Sequence, residues 1–148
     1  MIAAIDPGLC TGFCLLDTQR GSLWCYAGAH DDLNAWLKIR QAASAIIERP
    51  AIYPKQKARP ADIITLALRA GEAAGRFACS NVPVRYVEPA EWKRQIPKEI
   101  CEGRIRALLT PLELSGMDAC LGKIAAGKRN NAVDAVGLAL FMVGRRVF

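Results

Sequence analysis

The 148-residue chain has one histidine, His30, and its six cysteines include no Cys-x-x-Cys pair. A zinc site built from His and Cys ligands therefore has almost nothing to draw on. The cysteines stand at 10, 14, 25, 79, 101 and 120, irregularly spaced among apolar neighbours. A domain of this size buries roughly 70% of its unfolded surface and needs no disulfide staples, so reduced and mostly buried thiols are expected. No stretch reaches the ~18 apolar residues of a membrane span, the longest covering 135–143. No basic segment precedes the first apolar run, so a secretory leader is not expected. An acidic balance is also lacking: 20 Lys and Arg against 14 Asp and Glu leave a charge of +6. With 52% hydrophobic and 23% charged residues, intrinsic disorder is excluded. These properties describe one soluble, intracellular domain over 1–148. Its basic excess favours an anionic partner, of which nucleic acid is the commonest.

The order of elements comes from turn signals and periodicity. Residues 2–5 are a short apolar run stopped by Asp6-Pro7-Gly8. Residues 12–16 and 23–29 continue it as an antiparallel meander. Asp31 or Asp32 can cap a helix reaching about residue 44, with Leu33, Trp36, Leu37 and Ile39 on its buried side. Residues 45–48 read as a fourth, buried strand. The segment 49–60, with Pro50, Pro54, Pro60, Lys55, Lys57 and Arg59, reads as an exposed basic loop. A helix over 61–79 follows, carrying Arg69, Glu72 and Arg76 as one polar stripe, with Gly71 and Gly75 allowing close approach to the sheet. Residues 84–87 give a fifth strand and 89–109 one or two helices broken near Pro97. Residues 110–129 are polar and Gly-containing and receive no assignment, and 131–145 form a helix. The expected fold is α/β, with a five-stranded mixed sheet flanked by helices.

Three carboxylates stand where ordinary cores do not place them. Asp6 ends the first strand and opens onto the sheet crevice, where ligands usually bind. Glu48 ends another apolar strand, and adjacent strands lie about 4.8 Å apart, so the two carboxylates would repel without a cation or proton between them. Asp134 lies in Ala132-Val133-Asp134-Ala135-Val136-Gly137, an almost wholly apolar helix, where an ionised group needs a metal or a basic partner. Oxygen donors of this kind suit Mg²⁺. Two such ions, about 3.5–4 Å apart, can activate water and stabilise the leaving oxygen in phosphodiester hydrolysis.

Three motifs in order, Ile5-Asp6-Pro7-Gly8 with Thr11-Gly12, then Ile47-Glu48, then Asn131-Ala132-Val133-Asp134-Ala135, resemble the RuvC-type Holliday junction resolvases of the RNase H-like superfamily, in their phage and prophage branch. The resemblance implies an RNase H-like fold and a homodimer with two active sites that nicks a four-way DNA junction symmetrically, using Mg²⁺ or Mn²⁺. It implies that Asp6, Glu48 and Asp134 are the metal-binding catalytic carboxylates. The family places an acidic residue or His one turn before the last Asp, and this chain has Asn131 there. Residues i and i+3 share a helix face, so Asn131 points at the same site, but an amide adds no charge and cannot act as a base. A natural variation of the branch, reduced activity and an introduced change all fit that residue.

Resolvases of this kind also carry an aromatic residue soon after the second carboxylate, and Tyr53 is the nearest here. It can stack on a base, worth about 1–3 kcal/mol, or pack under its loop. Lys55, Lys57 and Arg59 are expected on phosphate, with Lys93, Arg94, Lys98, Arg104, Lys123, Lys128 and Arg129 as further backbone contacts. Glu88 reads as a helix-entry residue, the three tryptophans as packing residues, and His30 as a surface or helix-entry residue. Two other readings are a RuvC-like nuclease acting on structured RNA and a junction-binding protein without catalysis. Sugar kinases and actin-like ATPases open with a related phosphate loop but need two such domains.

Overall fold

The computed structural model describes residues 1–52, 59–94 and 96–148, with Lys98 described by its backbone alone. Strands β1 (Ile2–Asp6), β2 (Thr11–Asp17) and β3 (Ser22–Gly28) form the meander. Helix α1 (Leu33–Ile39) leads to β4 (Ser44–Glu48), and α2 (Pro60–Ala78) leads to β5 (Val84–Val87). Then come α3 (Pro89–Trp92), α4 (Lys98–Leu108), α5 (Pro111–Leu121), a 3₁₀ turn (Ala126–Lys128) and α6 (Arg129–Met142). The sheet order is β3-β2-β1-β4-β5, with β1 antiparallel to β2 and parallel to β4. This is the five-stranded mixed sheet expected from the sequence. Among the described residues, no helix is long and apolar enough to cross a membrane.

Period-two alternation along the strands divides the core. Ala3, Ile5, Phe13, Leu15, Ala45 and Ile47 face α1 and α2, whose Trp36, Ile39, Ala70, Ala73 and Phe77 complete that layer. Ala4, Cys14, Leu16, Ile46 and Val87 face the other way, onto α3–α6, where Trp92, Ile105, Met117 and Leu138 pack. Asp6 shares the parity of Ala4, and Glu48 that of Ile46. Both carboxylates therefore project on the α6 side at the carboxyl ends of parallel neighbours.

Gly12 sets how closely α6 lies on the sheet. It pairs across the ladder with Asp6. A Cβ at residue 12 would run into the Asn131 carbonyl oxygen and stand 3.3 Å from the Ala135 Cβ. The first turn of α6 thus rests on bare backbone beside Asp6. Gly12→Ala should cost about 1–3 kcal/mol by overpacking. At roughly 2–4 °C per kcal/mol the Tm should fall by about 3–10 °C. Calorimetry showing an unchanged Tm would mean that α6 can slide without penalty.

Several boundaries differ from the sequence expectation. Helix α1 stops at Ile39, two turns after its Asp32 cap, and a helix that short buries only Ala35, Trp36 and Ile39. Leu33 and Leu37 are left exposed. On α2 the buried stripe is Ala70, Ala73 and Phe77. Gly71 and Gly75 lie off it with nothing within 4 Å of a Cβ, so they bring no close approach. The unassigned 110–129 contains α5, opened by a capping box between Thr110 and Glu113 with Pro at N1. Helix α6 begins two residues earlier than expected and ends at Met142, ahead of Gly144 at φ +83°. All six cysteines are free, but only Cys14, Cys25 and Cys101 are fully buried.

Candidate active site

Asp6, Glu48 and Asp134 gather at the carboxyl ends of β1 and β4, under α6. Between them lies Lys93, expected from the sequence as a DNA backbone contact. The Lys93 Nζ is 3.0 Å from Asp134 Oδ2 and 3.6 Å from Glu48 Oε2. Its side chain is 24% exposed, against 14% for Glu48 and 20% for Asp134. Lys93 directly follows the four-residue helix α3, which Glu88 caps through a capping box with Glu91. That helix also buries Trp92, whose indole Nε1 donates to Glu48 Oε2 at 2.6 Å. The Lys93 ammonium stands 4.7 Å from the Trp92 ring centroid. Gly137 makes the arrangement possible, because a Cβ there would collide with the Trp92 ring and stand 2.9 Å from Ile105 Cδ1.

The electrostatics follow from burial and this one cation. Burial pushes the Glu48 carboxyl up, and Asp134 adds to the rise, while Lys93 and the Trp92 indole oppose it. Burial works against the Lys93 ammonium, but Glu48, Asp134 and Asp6 together outweigh it and hold its pKa up. All three carboxylates therefore act on one positive charge.

Among the described residues, no three His, Cys, Asp or Glu side chains are already arranged to hold a metal ion. The donor set is nonetheless one of hard oxygens, the ligands that Mg²⁺ and Mn²⁺ take. A divalent ion held by Asp6, Glu48 and Asp134 would replace the Lys93 ammonium. Asn131, half-buried in the first turn of α6, lies one turn from Asp134.

No family model matches the chain, and no curated protein matches it. Among solved structures it is similar to Thermus thermophilus RuvC in complex with Holliday junction substrate, at 14% identity and a TM-score of 0.48. A second Thermus thermophilus RuvC structure aligns at 14% identity with a TM-score of 0.42. Each alignment covers 98% of this chain and 97% of the other.

The basic residues expected on phosphate are distributed unevenly. Tyr53, Lys55 and Lys57 lie outside the described residues. Arg59 is exposed at the N-cap of α2 and paired with Asp62 at 3.0 Å. Arg94 adopts φ 51° and places its guanidinium 4.2 Å from the Phe148 ring centroid. Lys128 and Arg129 are exposed, and Arg129 Nε donates to the Ile124 carbonyl. Lys98 begins α4.

Some supporting residues were not anticipated. His30 is buried, not on the surface, and its Nδ1 lies 3.0 Å from the Thr11 hydroxyl. That hydroxyl donates to the Gly8 carbonyl, which also accepts from Arg69 of α2. The loop directly after Asp6 is thereby fixed from two sides. Trp92 packs as expected and also orients Glu48. An indole three residues after the Glu88-Pro89 that follows β5 was the only sequence signal for it.

Proposed function

We propose that this chain is a Mg²⁺- or Mn²⁺-dependent endonuclease that resolves four-way DNA junctions as a homodimer in the cytoplasm. The observation that carries the reading is the convergence of Asp6, Glu48 and Asp134 on the Lys93 ammonium. Their order and phrasing in the sequence, which resemble the phage-type resolvases, supply the substrate class. The basic excess supports a nucleic acid partner.

In this reading Asp6, Glu48 and Asp134 would hold two divalent ions, which would supply an activated water and charge neutralisation at the leaving oxygen. The Trp92 indole fixes one Glu48 oxygen and leaves the other for ligation. Asn131 contributes an amide oxygen without charge. Lys93, once displaced from the carboxylates, would be free to pair with a substrate phosphate. The basic residues expected on phosphate, Lys55, Lys57 and Arg59 among them, track the backbone, and Tyr53 meets an unpaired base.

The Lys93 ion pairs and Asn131 favour one second reading, a protein that binds junctions without cutting them. A single assay separates the two: incubation with a synthetic four-way junction, linear duplex and a folded RNA, each with and without Mg²⁺. Paired, symmetric, metal-dependent nicks in the junction alone are expected. Tight binding without nicks would favour the second reading, and preferential RNA cleavage would reassign the substrate.

A further inference from the structure

Away from the carboxylates, three free thiols gather where α5 crosses β3. Cys14 and Cys25 are cross-strand partners on β2 and β3, and both are buried. Cys120, in the last turn of α5, is only partly buried. The Cys25 backbone N–H donates to Cys120 Sγ at 3.5 Å, which sets the Cys120 sulfur directly against Cys25 of β3. The backbones meet this closely because of Gly116, one turn earlier in α5. A Cβ at that position would stand 2.5 Å from the Leu23 carbonyl oxygen. The two sulfurs are thus brought together by the packing of the fold.

The pair is also polarised. Hydrogen bonds from the Cys25 side chain and backbone bring the Cys120 thiol down against its burial, and Lys123 and Lys38 add to this. The Cys25 thiol is pushed up by its bond to Cys120 and by burial, with Cys14, Cys120 and Asp118 adding to the rise. A partly exposed thiol held low beside a buried thiol is the arrangement of a reactive cysteine and its resolving partner.

We propose that Cys120 and Cys25 form an oxidisable dithiol, in which Cys120 attacks a hydroperoxide and a disulfide then ties α5 to β3. In the first step the Cys120 sulfur bonds to a peroxide oxygen, the O–O bond breaks and hydroxide leaves. The sulfur is oxidised by two electrons to the sulfenic acid. In the second step the Cys25 sulfur displaces water from that sulfenic acid and loses its proton. Overall, two thiols and one hydrogen peroxide give one disulfide and two waters. Cys79, exposed at the end of α2, would react without a partner and is best removed for the test.

The experiment treats the folded Cys79→Ser protein with one equivalent of hydrogen peroxide, then counts thiols and maps peptides without reduction. The expected product is a single bridge between Cys25 and Cys120. It should raise the Tm by roughly 4–10 °C and be reversed by dithiothreitol. Cys120→Ser, at the more exposed position, should abolish the bridge. Cys25→Ala should leave a sulfenic acid at residue 120 that dimedone traps. A bridge between Cys14 and Cys25, or a folded protein whose Cys120 stays reduced while other thiols oxidise, overturns the proposal.

Discussion

Asp134→Asn should reduce cleavage of a four-way junction by roughly 10³-fold, equivalent to losing about 4 kcal/mol of transition-state stabilisation. Asp134 is the one carboxylate delivered by a helix, and it holds Lys93 at 3.0 Å. An asparagine oxygen can still accept that hydrogen bond, so the packing of α6 and junction binding without metal should persist. What disappears is a negative charge where a divalent ion needs one. Single-turnover cleavage measured beside a metal-free binding assay checks both halves. Near-normal cleavage would remove Asp134 from the chemistry, and loss of binding would show that the change had disturbed the fold.

Lys93→Met should have the next largest effect, in two opposite directions. Without the ammonium, Glu48 and Asp134 face each other unneutralised in a half-buried site, and Glu48 is already disfavoured as an anion by burial. Allowing for solvent screening, the metal-free protein should lose about 1–3 kcal/mol. That corresponds to a Tm lower by roughly 3–10 °C. Yet the same substitution removes the cation that competes for the carboxylate oxygens. Mn²⁺ should then bind at least about tenfold more tightly, a gain of about 1.4 kcal/mol. Millimolar Mg²⁺ should recover more Tm in the variant than in the parent, because only the native state binds it. Titration calorimetry giving identical Mn²⁺ affinities would mean that ammonium and metal do not share a site.

Much of this site was legible because strands announce their ends. Ile5-Asp6-Pro7-Gly8 and Ile47-Glu48 each close an apolar run with a carboxylate, and parallel pairing makes such ends adjacent. Asp134 stood out because its neighbours are apolar. Lys93 was not legible, since nothing local separates it from any other surface lysine. Its place depends on Gly137 admitting Trp92, a contact across 45 residues of chain. His30 does stand at the entry to α1, two residues before the Asp32 cap, but its burial was not legible because its partner Thr11 lies on β2, 19 residues away. Helix α5 was readable in hindsight from Thr110-Pro111-Leu112-Glu113, a cap with proline at N1. Its period was hidden by apolar residues on several sides.

The seating of α5 on β3 bears on how this sheet could grow. An outermost strand ordinarily offers a row of unpaired amides and carbonyls to any passing chain. Along β3 the Cys25 amide is already engaged by Cys120, and Gly116 is pressed onto the Leu23 carbonyl. Further strands are therefore blocked on that flank. Extension is left to β5, whose four residues span only about 13 Å at 3.3 Å each, with Arg85 and Tyr86 exposed on it. So short and charged a template favours a finite assembly over runaway edge-to-edge stacking.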